Sequence, residues 1–235
     1  ILSIDFFRGI TMFLLIGEFS ELFGNLSNPY FDGTIVSFIG NQLSHHPWNG
    51  LHFWDLIQPF FMFIVGVSMP FSFTRRWNRG DSWNTTFRFA LKRSFWLLFL
   101  GWALYCIGPG KIGFRMTNVL AQLSVTYLIA FLVMRKAVKW QLLVSFAMIL
   151  LSYLLYQFWP VEGYNQPFVA DHNFGTWFDV TLLGGMNSGH WVAFNAIPTT
   201  AHTIWGVIAG MILMNDWTPA KKVKTMLVAG IIGVA

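Results

Sequence analysis

The sequence has little charge and almost no cysteine. Charged residues make up 11% of its 235 positions, whereas soluble globular domains average about 25%. Apolar residues make up 55% and aromatic residues 18%. So few charges exclude an ordinary soluble domain and indicate a protein embedded in a bilayer. The single cysteine, Cys106, also excludes an internal disulfide and a cysteine-based zinc site.

Signals for nucleic-acid binding and for a cleaved leader are missing as well. The net charge is +5, but an excess of Lys and Arg in a membrane protein is typical of cytoplasmic loops. We therefore expect membrane lipid as a partner and no nucleic acid. The first residues have no basic segment and no Ala-x-Ala site, and Asp5 and Arg8 interrupt the first apolar stretch. We expect this stretch to remain as a span.

Long apolar stretches predict an all-α fold, a polytopic transmembrane helical bundle that forms one domain over residues 1–235. About 20 helical residues cross a hydrocarbon core of about 30 Å. We expect long outer loops at 24–52 and 160–196, and further spans beyond residue 235, because the last stretch is still apolar there. The seven predicted spans are 6–23, 53–73, 95–107, 116–134, 140–159, 197–214 and 223–235.

Basic residues sort to alternate loops of this topology. Twelve of the fifteen Lys and Arg residues follow the second, fourth or sixth predicted span. Cytoplasmic loops carry such an excess, so we expect the N-terminus to be cytoplasmic. All six histidines then lie on the opposite, outer side. They are His45, His46, His52, His172, His190 and His202.

The outer loop 160–196 is too long for a simple connection and mixes Gly, Asn, Asp and aromatic residues. It predicts a folded lid over an outer cavity, with a plain solvated loop as the alternative. In the sixth predicted span, Gly206 and Gly210 form a small-xxx-small pattern. This pattern predicts close packing between helices.

Three segments together resemble a known family. They are Ser3–Gly9 (SIDFFRG), 45–50 (HHPWNG) and Asp55–Gly66 (DLIQPFFMFIVG). They resemble the heparan-α-glucosaminide N-acetyltransferase family, and above all its bacterial branch with the DUF5009 domain, the NagX-like proteins. The resemblance implies a multi-pass protein of the bacterial inner membrane whose C-terminal spans lie outside this sequence. A homodimer is one expected assembly.

The resemblance also implies a reaction. The eukaryotic member of the family moves an acetyl group from cytosolic acetyl-CoA across the membrane onto a terminal glucosamine amine. We therefore expect an acyl-CoA donor and an amino-sugar or glycan acceptor. The essential histidine of the family stands three residues before the Trp of Trp-Asn-Gly, which here is His45. An imidazole with a pKa of about 6.5 can take the proton of an attacking amine or hold the acetyl group itself.

Three further residues are candidates for the site. Asp55 lies three residues after His52, so its carboxylate could orient an imidazole, or it could instead pin the helix through Arg8 or backbone groups. Glu18, at the outer end of the first span, is a second titratable candidate. Arg8 is either a clamp for the phosphates of coenzyme A or the partner of Asp5 in a local ion pair.

Other functions stay open at this point. The alternative to the transferase is a transporter for an amino sugar of the N-acetylglucosamine type, in which Glu18, Asp55 and the histidines couple proton movement to passage. A structural membrane subunit is a third reading. We expect no metal, because the histidines do not follow the spacing of a known metal site.

Overall fold

Helices and the loops that join them make up the part of the chain that the structure describes. A computed structural model describes residues 2–48, 50–107, 112–186 and 189–234, and no strand occurs within these ranges. This confirms the predicted all-α class. The α-helices there are α1 (Leu2–Phe19), α2 (Leu22–Leu26), α3 (Ile35–Gln42), α4 (Ile57–Asn78), α5 (Trp83–Ile107), α6 (Val119–Val133), α7 (Val138–Phe158), α8 (Phe174–Phe178), α9 (Ala196–Met214) and α10 (Pro219–Val234).

Several of these helices have the length and composition of membrane spans. Among the described residues four segments qualify, and they make the chain a multi-pass membrane protein. They are Phe53–Asn78, Trp83–Ile107, Val138–Phe158 and Ala193–Met214. Helix α6 is apolar but has only 15 residues. Seven spans and a cytoplasmic N-terminus therefore stay predictions.

Helix α5 begins earlier than the sequence suggested. The predicted third span covers residues 95–107, whereas α5 runs from Trp83 to Ile107. The basic residues before position 95 looked like a loop. They continue the helix because long Arg and Lys side chains can keep their charges in water while their stems lie along an apolar helix.

The chain divides into two compact units, residues 1–64 and 65–235, and the boundary falls within α4. The first unit contains α1, α2, α3 and a 3₁₀ turn at Phe53–Leu56 that leads into α4. Its core is formed by Phe23, Trp54 and Ile57. The indole of Trp54 meets the Phe23 ring edge-on, with 5.4 Å between ring centroids, a favoured arrangement of aromatic rings.

In the second unit, helices pack closely through small residues. A side chain at Gly66 would collide with the backbone of Thr203, and one at Gly210 would collide with the carbonyl of Val67. These glycines let the second-unit part of α4 approach α9 to backbone contact. The packing role predicted for the Gly206–Gly210 pattern is thus confirmed at Gly210.

The segment between α7 and α9 is folded. It contains α8 and a short π-helix at Asp179–Leu183. Phe174, Val192 and Phe194 form a buried cluster there, with Trp159 and other aromatic residues packed around it. The alternative of a plain solvated loop is therefore wrong, because rings spaced along the segment bury each other. A lid over an outer cavity stays a prediction.

Candidate functional site

In the first unit, Asp55 organises the loop between α3 and α4. One of its carboxylate oxygens lies 2.8 Å from Nδ1 of His45. The other accepts hydrogen bonds from the backbone N–H of His52 at 2.8 Å and of His46 at 3.3 Å. The His45 side chain and the two backbone groups are therefore tied to one carboxylate at the start of the 3₁₀ turn.

This contact defines how the His45 ring can react. A carboxylate only accepts hydrogen bonds, so Nδ1 of His45 carries the proton in the contact with Asp55. In the neutral ring, Nε2 then has the lone pair, which is the form needed by a general base or a nucleophile. The His45 side chain is 44% exposed and that of Asp55 is 23% exposed. The ring is thus accessible, while the group that orients it is largely covered.

Trp54 connects this pair to Glu18. Its indole N–H donates to a carboxylate oxygen of Glu18 at 3.1 Å, and its ring meets that of His45 edge-on with 6.5 Å between centroids. Trp54 is 3% exposed. The structure therefore links Glu18 through the buried indole to His45, and His45 in turn to Asp55.

Sequence reasoning missed Trp54 because it looked like one more aromatic residue of a span. A signal was present, since a buried indole N–H needs a hydrogen-bond acceptor. The acidic residue at the end of α1, Glu18, is such an acceptor. Carboxylates are rare in apolar helices, so the sequence alone could have suggested that Trp54 donates to Glu18.

The other two histidines of this loop pack against each other. The rings of His46 and His52 meet edge-on with 4.8 Å between centroids, and Nδ1 of His52 lies 2.9 Å from the carbonyl of Ser44. Asp55 contacts these two residues through their backbone N–H groups. The expected orientation of the His52 ring by Asp55 is therefore wrong, because His52 is extended (φ −98°, ψ 161°) and precedes the helical turn.

Two relatives are found among known proteins. The chain is 36% identical over 140 residues to heparan-alpha-glucosaminide N-acetyltransferase of Homo sapiens, and 34% identical over 136 residues to the Mus musculus protein of the same name. The chain is thus similar to these acetyltransferases over about half of its own length. Each match covers 54% of this chain and 18% of the relative. No protein-family model matches the chain. The bacterial NagX-like branch stays a prediction.

In this protein, Arg8 makes a local ion pair with Asp5. Its guanidinium lies 4.0 Å from Asp5, and the two side chains are 47% and 66% exposed. This is the alternative to a phosphate clamp that the sequence left open. An exposed pair at this distance contributes little to stability. Coenzyme A binding by Arg8 stays a prediction.

A second histidine–aspartate pair lies in the folded segment of the second unit. Nδ1 of His190 is 2.9 Å from Asp171, and a shallow cleft there is also lined by Asp179. Asp179 is 2% exposed, and both its carboxylate oxygens accept from the backbone N–H of Ala193, at 3.0 and 3.1 Å. Burial raises the pKa of Asp179 to about 6, although the Ala193 hydrogen bonds act in the opposite direction.

Neither region resembles a metal centre. Within the described ranges, no three His, Cys, Asp or Glu side chains lie close enough together to hold a metal ion. Metal sites in proteins are usually built from three or four such ligands. The arrangement around His45 is instead suited to moving a proton or a small acyl group.

Proposed function

We propose that this chain is a membrane-embedded N-acyltransferase. The acyl donor is acyl-CoA, such as acetyl-CoA, supplied from the cytoplasm. The acceptor is the amine of an amino sugar or glycan on the outer side of a bacterial inner membrane. The observation that carries this proposal is the 2.8 Å contact between Nδ1 of His45 and Asp55, which favours a lone pair on the other ring nitrogen. The acetyltransferase names of both relatives support the same reaction class.

His45 can serve the reaction as a general base. The acceptor nitrogen attacks the thioester carbonyl carbon, Nε2 of His45 takes a proton from that nitrogen, and the C–S bond breaks. The thiolate of coenzyme A then receives a proton, so that an amide and a free thiol are the products. Asp55 stabilises the ring while it is protonated, because its carboxylate lies next to Nδ1. A positioned base of this kind contributes about 100-fold to 10,000-fold to the rate.

His45 can alternatively hold the acyl group. In this route Nε2 attacks the thioester first, the C–S bond breaks, and coenzyme A leaves as the thiolate, which takes a proton from water. The amine then attacks the acyl group, the bond between that group and Nε2 breaks, and the proton lost by the amine nitrogen goes to water. A covalent intermediate would allow the donor and the acceptor to react at different times. Both routes use the same ring nitrogen and the same orientation by Asp55.

Trp54 and Glu18 act in this proposal as positioning residues. The buried indole packs against the His45 ring, and its N–H is held by Glu18. A fixed indole limits the orientations of the ring, which matters because small misplacements of reacting groups reduce rates strongly. Glu18 is exposed, so it is also available to exchange protons with water.

Release of coenzyme A by purified protein tests the proposal. The chain is incubated in detergent with acetyl-CoA and glucosamine or short amino glycans, and free thiol is measured. We expect thiol release that depends on the acceptor and is lost in His45→Ala. The matched control is His46→Ala, one residue away in the same loop, which should keep most of the activity.

A second measurement, amino-sugar uptake, distinguishes the transferase from the transporter. Amino-sugar uptake into proteoliposomes that depends on a pH gradient, without thiol release, would replace the transferase by the transporter alternative. The comparisons with known proteins give that alternative no support. A chain with neither activity would support the third possibility, a structural membrane subunit.

A further inference from the structure

The second unit contains a polar groove along α4. It has a volume of about 450 Å³. The lining residues from Ser68 to Arg76 recur every three or four positions, so they share one face of α4, and the remaining two follow its C-terminal end. The polar side chains that line it are Ser68, Ser72, Arg75, Arg76, Arg79 and Asp81.

This groove begins inside a segment suited to cross the membrane. Ser68 and Ser72 lie within Phe53–Asn78, whose composition is that of a membrane span. Polar side chains in such a segment normally face protein or a water-filled cavity. The groove therefore leads from a basic rim into the membrane-spanning part of α4.

The arginines at the rim differ in their partners. Arg76 lies 3.6 Å from Asp81, and its guanidinium carbon is 3.7 Å from the centre of the Phe89 ring. Arg75 and Arg79 are exposed, and among the described residues neither side chain has an ion-pair or hydrogen-bond partner. Three arginines against one aspartate give the rim a charge of +2.

We propose that this groove binds a phosphate or diphosphate group that carries a linear chain. The guanidinium groups of Arg75 and Arg79 hold the phosphate oxygens, because the planar fork of arginine matches phosphate geometry. The attached chain lies along Ser72 and Ser68 toward the membrane interior. Two molecules have this chemistry, an acyl-CoA and an anionic phospholipid. The acyl-CoA source rests on the proposed function.

Binding measurements in neutral nanodiscs test whether an acyl-CoA is the ligand of the groove. Coenzyme A is titrated into the wild-type chain and into Arg75→Ala/Arg79→Ala. Each lost charge-assisted contact should weaken binding about tenfold, so we expect a loss of up to about 100-fold. Pantetheine, which lacks the phosphates, should bind both proteins equally. The matched control, Arg88→Ala/Lys92→Ala, removes the same charge from exposed positions of α5 outside the groove and should change affinity less than about threefold.

A second variant tests the groove without changing its charge. Ser72→Leu keeps the three arginines and puts an apolar side chain into a membrane-spanning helix, so it should fold. It should weaken binding of coenzyme A because it fills the path of the chain. The same variants, purified from membranes, report the lipid source through the amount of phosphatidylglycerol that stays bound.

The outcomes are distinct. Weaker coenzyme A binding in the arginine variant supports the proposal with the acyl donor as ligand. Reduced phosphatidylglycerol with unchanged coenzyme A binding supports it with a lipid headgroup as ligand. If the arginine variant and its control behave alike in both measurements, the proposal is wrong. A chain that binds coenzyme A through these residues but never releases thiol would contradict the proposed function and leave the phosphate site intact.

Discussion

The two histidine–aspartate pairs of this protein have the same contact in different surroundings. In the first unit, His45 lies 2.8 Å from Asp55, and that carboxylate also accepts two backbone N–H groups. In the second unit, His190 lies 2.9 Å from Asp171, and both residues have positive φ angles, 60° and 61°. Such backbone conformations cost about 1–2 kcal/mol per residue outside glycine.

A histidine–aspartate contact alone therefore does not determine what the histidine ring can do, because the surrounding groups differ. Around His45 the neighbouring groups, Asp55 and the buried Trp54, fix a ring that water can reach. Around His190 the neighbouring titratable group is Asp179, which is buried and holds its proton to about pH 6. We therefore expect the first pair to govern turnover and the second region to govern how stability depends on pH.

The largest expected difference between the regions is in turnover. His45→Ala should reduce thiol release from acetyl-CoA by about 100-fold to 10,000-fold, because it removes the proposed base. His190→Ala removes the matching ring of the other pair and should leave the rate within about threefold of the wild type, the range of a surface change. Equal losses in both variants would mean that the two regions contribute to one reaction.

A smaller effect is expected on stability. The pKa of Asp179 is raised to about 6 from the usual 3.8, so the folded state binds its proton more tightly than the unfolded state. The resulting stabilisation is complete below about pH 4 and is lost as the pH rises to about 6, with a total near 3 kcal/mol. Asp179→Asn should remove this dependence.

The measurement is the melting temperature in detergent between pH 4 and pH 7. The wild type should lose several degrees relative to Asp179→Asn as the pH rises through this window. Asp171→Asn, the partly exposed carboxylate of the same cleft, is the control and should keep the wild-type dependence. Parallel curves for the wild type and Asp179→Asn would show that Asp179 is not protonated in the folded state.

A smaller effect again is expected at the indole. Trp54→Phe keeps an aromatic ring beside His45 but removes the hydrogen bond to Glu18. A single hydrogen bond contributes about 0.5–1.5 kcal/mol, so the rate should fall about twofold to tenfold. The control is Trp191→Phe, which changes an exposed indole in the second unit and should have no effect on the rate.

Glu18→Gln separates the two roles of Glu18. The amide oxygen can still accept from the Trp54 indole, so positioning is retained and the maximal rate should stay close to that of the wild type. If Glu18 also exchanges protons during turnover, the pH profile of the rate should shift. An identical profile would leave Glu18 as the acceptor for Trp54 alone.

The sequence predicts the helices of this fold better than the contacts between residues that lie far apart in the chain. Length and apolar composition predicted the membrane spans around Phe53–Asn78 and Ala193–Met214, because these properties are local. The start of α5 was missed, since basic residues continue a helix without interrupting it. The folded segment after α7 was left open because its core joins residues such as Phe174 and Phe194, which lie far apart in sequence.

In the candidate site, too, single residues could be predicted from the sequence but their contacts could not. His45 and Asp55 were each predicted as site residues, but their pairing was not, since they lie ten residues apart across an irregular loop. Helix spacing suggested His52 as the partner of Asp55. The backbone at His52 is extended, however, so its ring does not share a helix face with Asp55. The burial of Asp179 was not predicted, because burial of a loop carboxylate depends on packing that no local pattern records.

The central claim is that His45 and Asp55 act as one unit, and a double-mutant cycle tests it most directly. Thiol release is measured for His45→Ala, Asp55→Asn and the double variant. We predict a loss of at least about 100-fold in each single variant, and a double variant that is little worse than His45→Ala, because residues that act together are not additive. If the two losses multiply in the double variant, His45 and Asp55 act independently and the account is wrong.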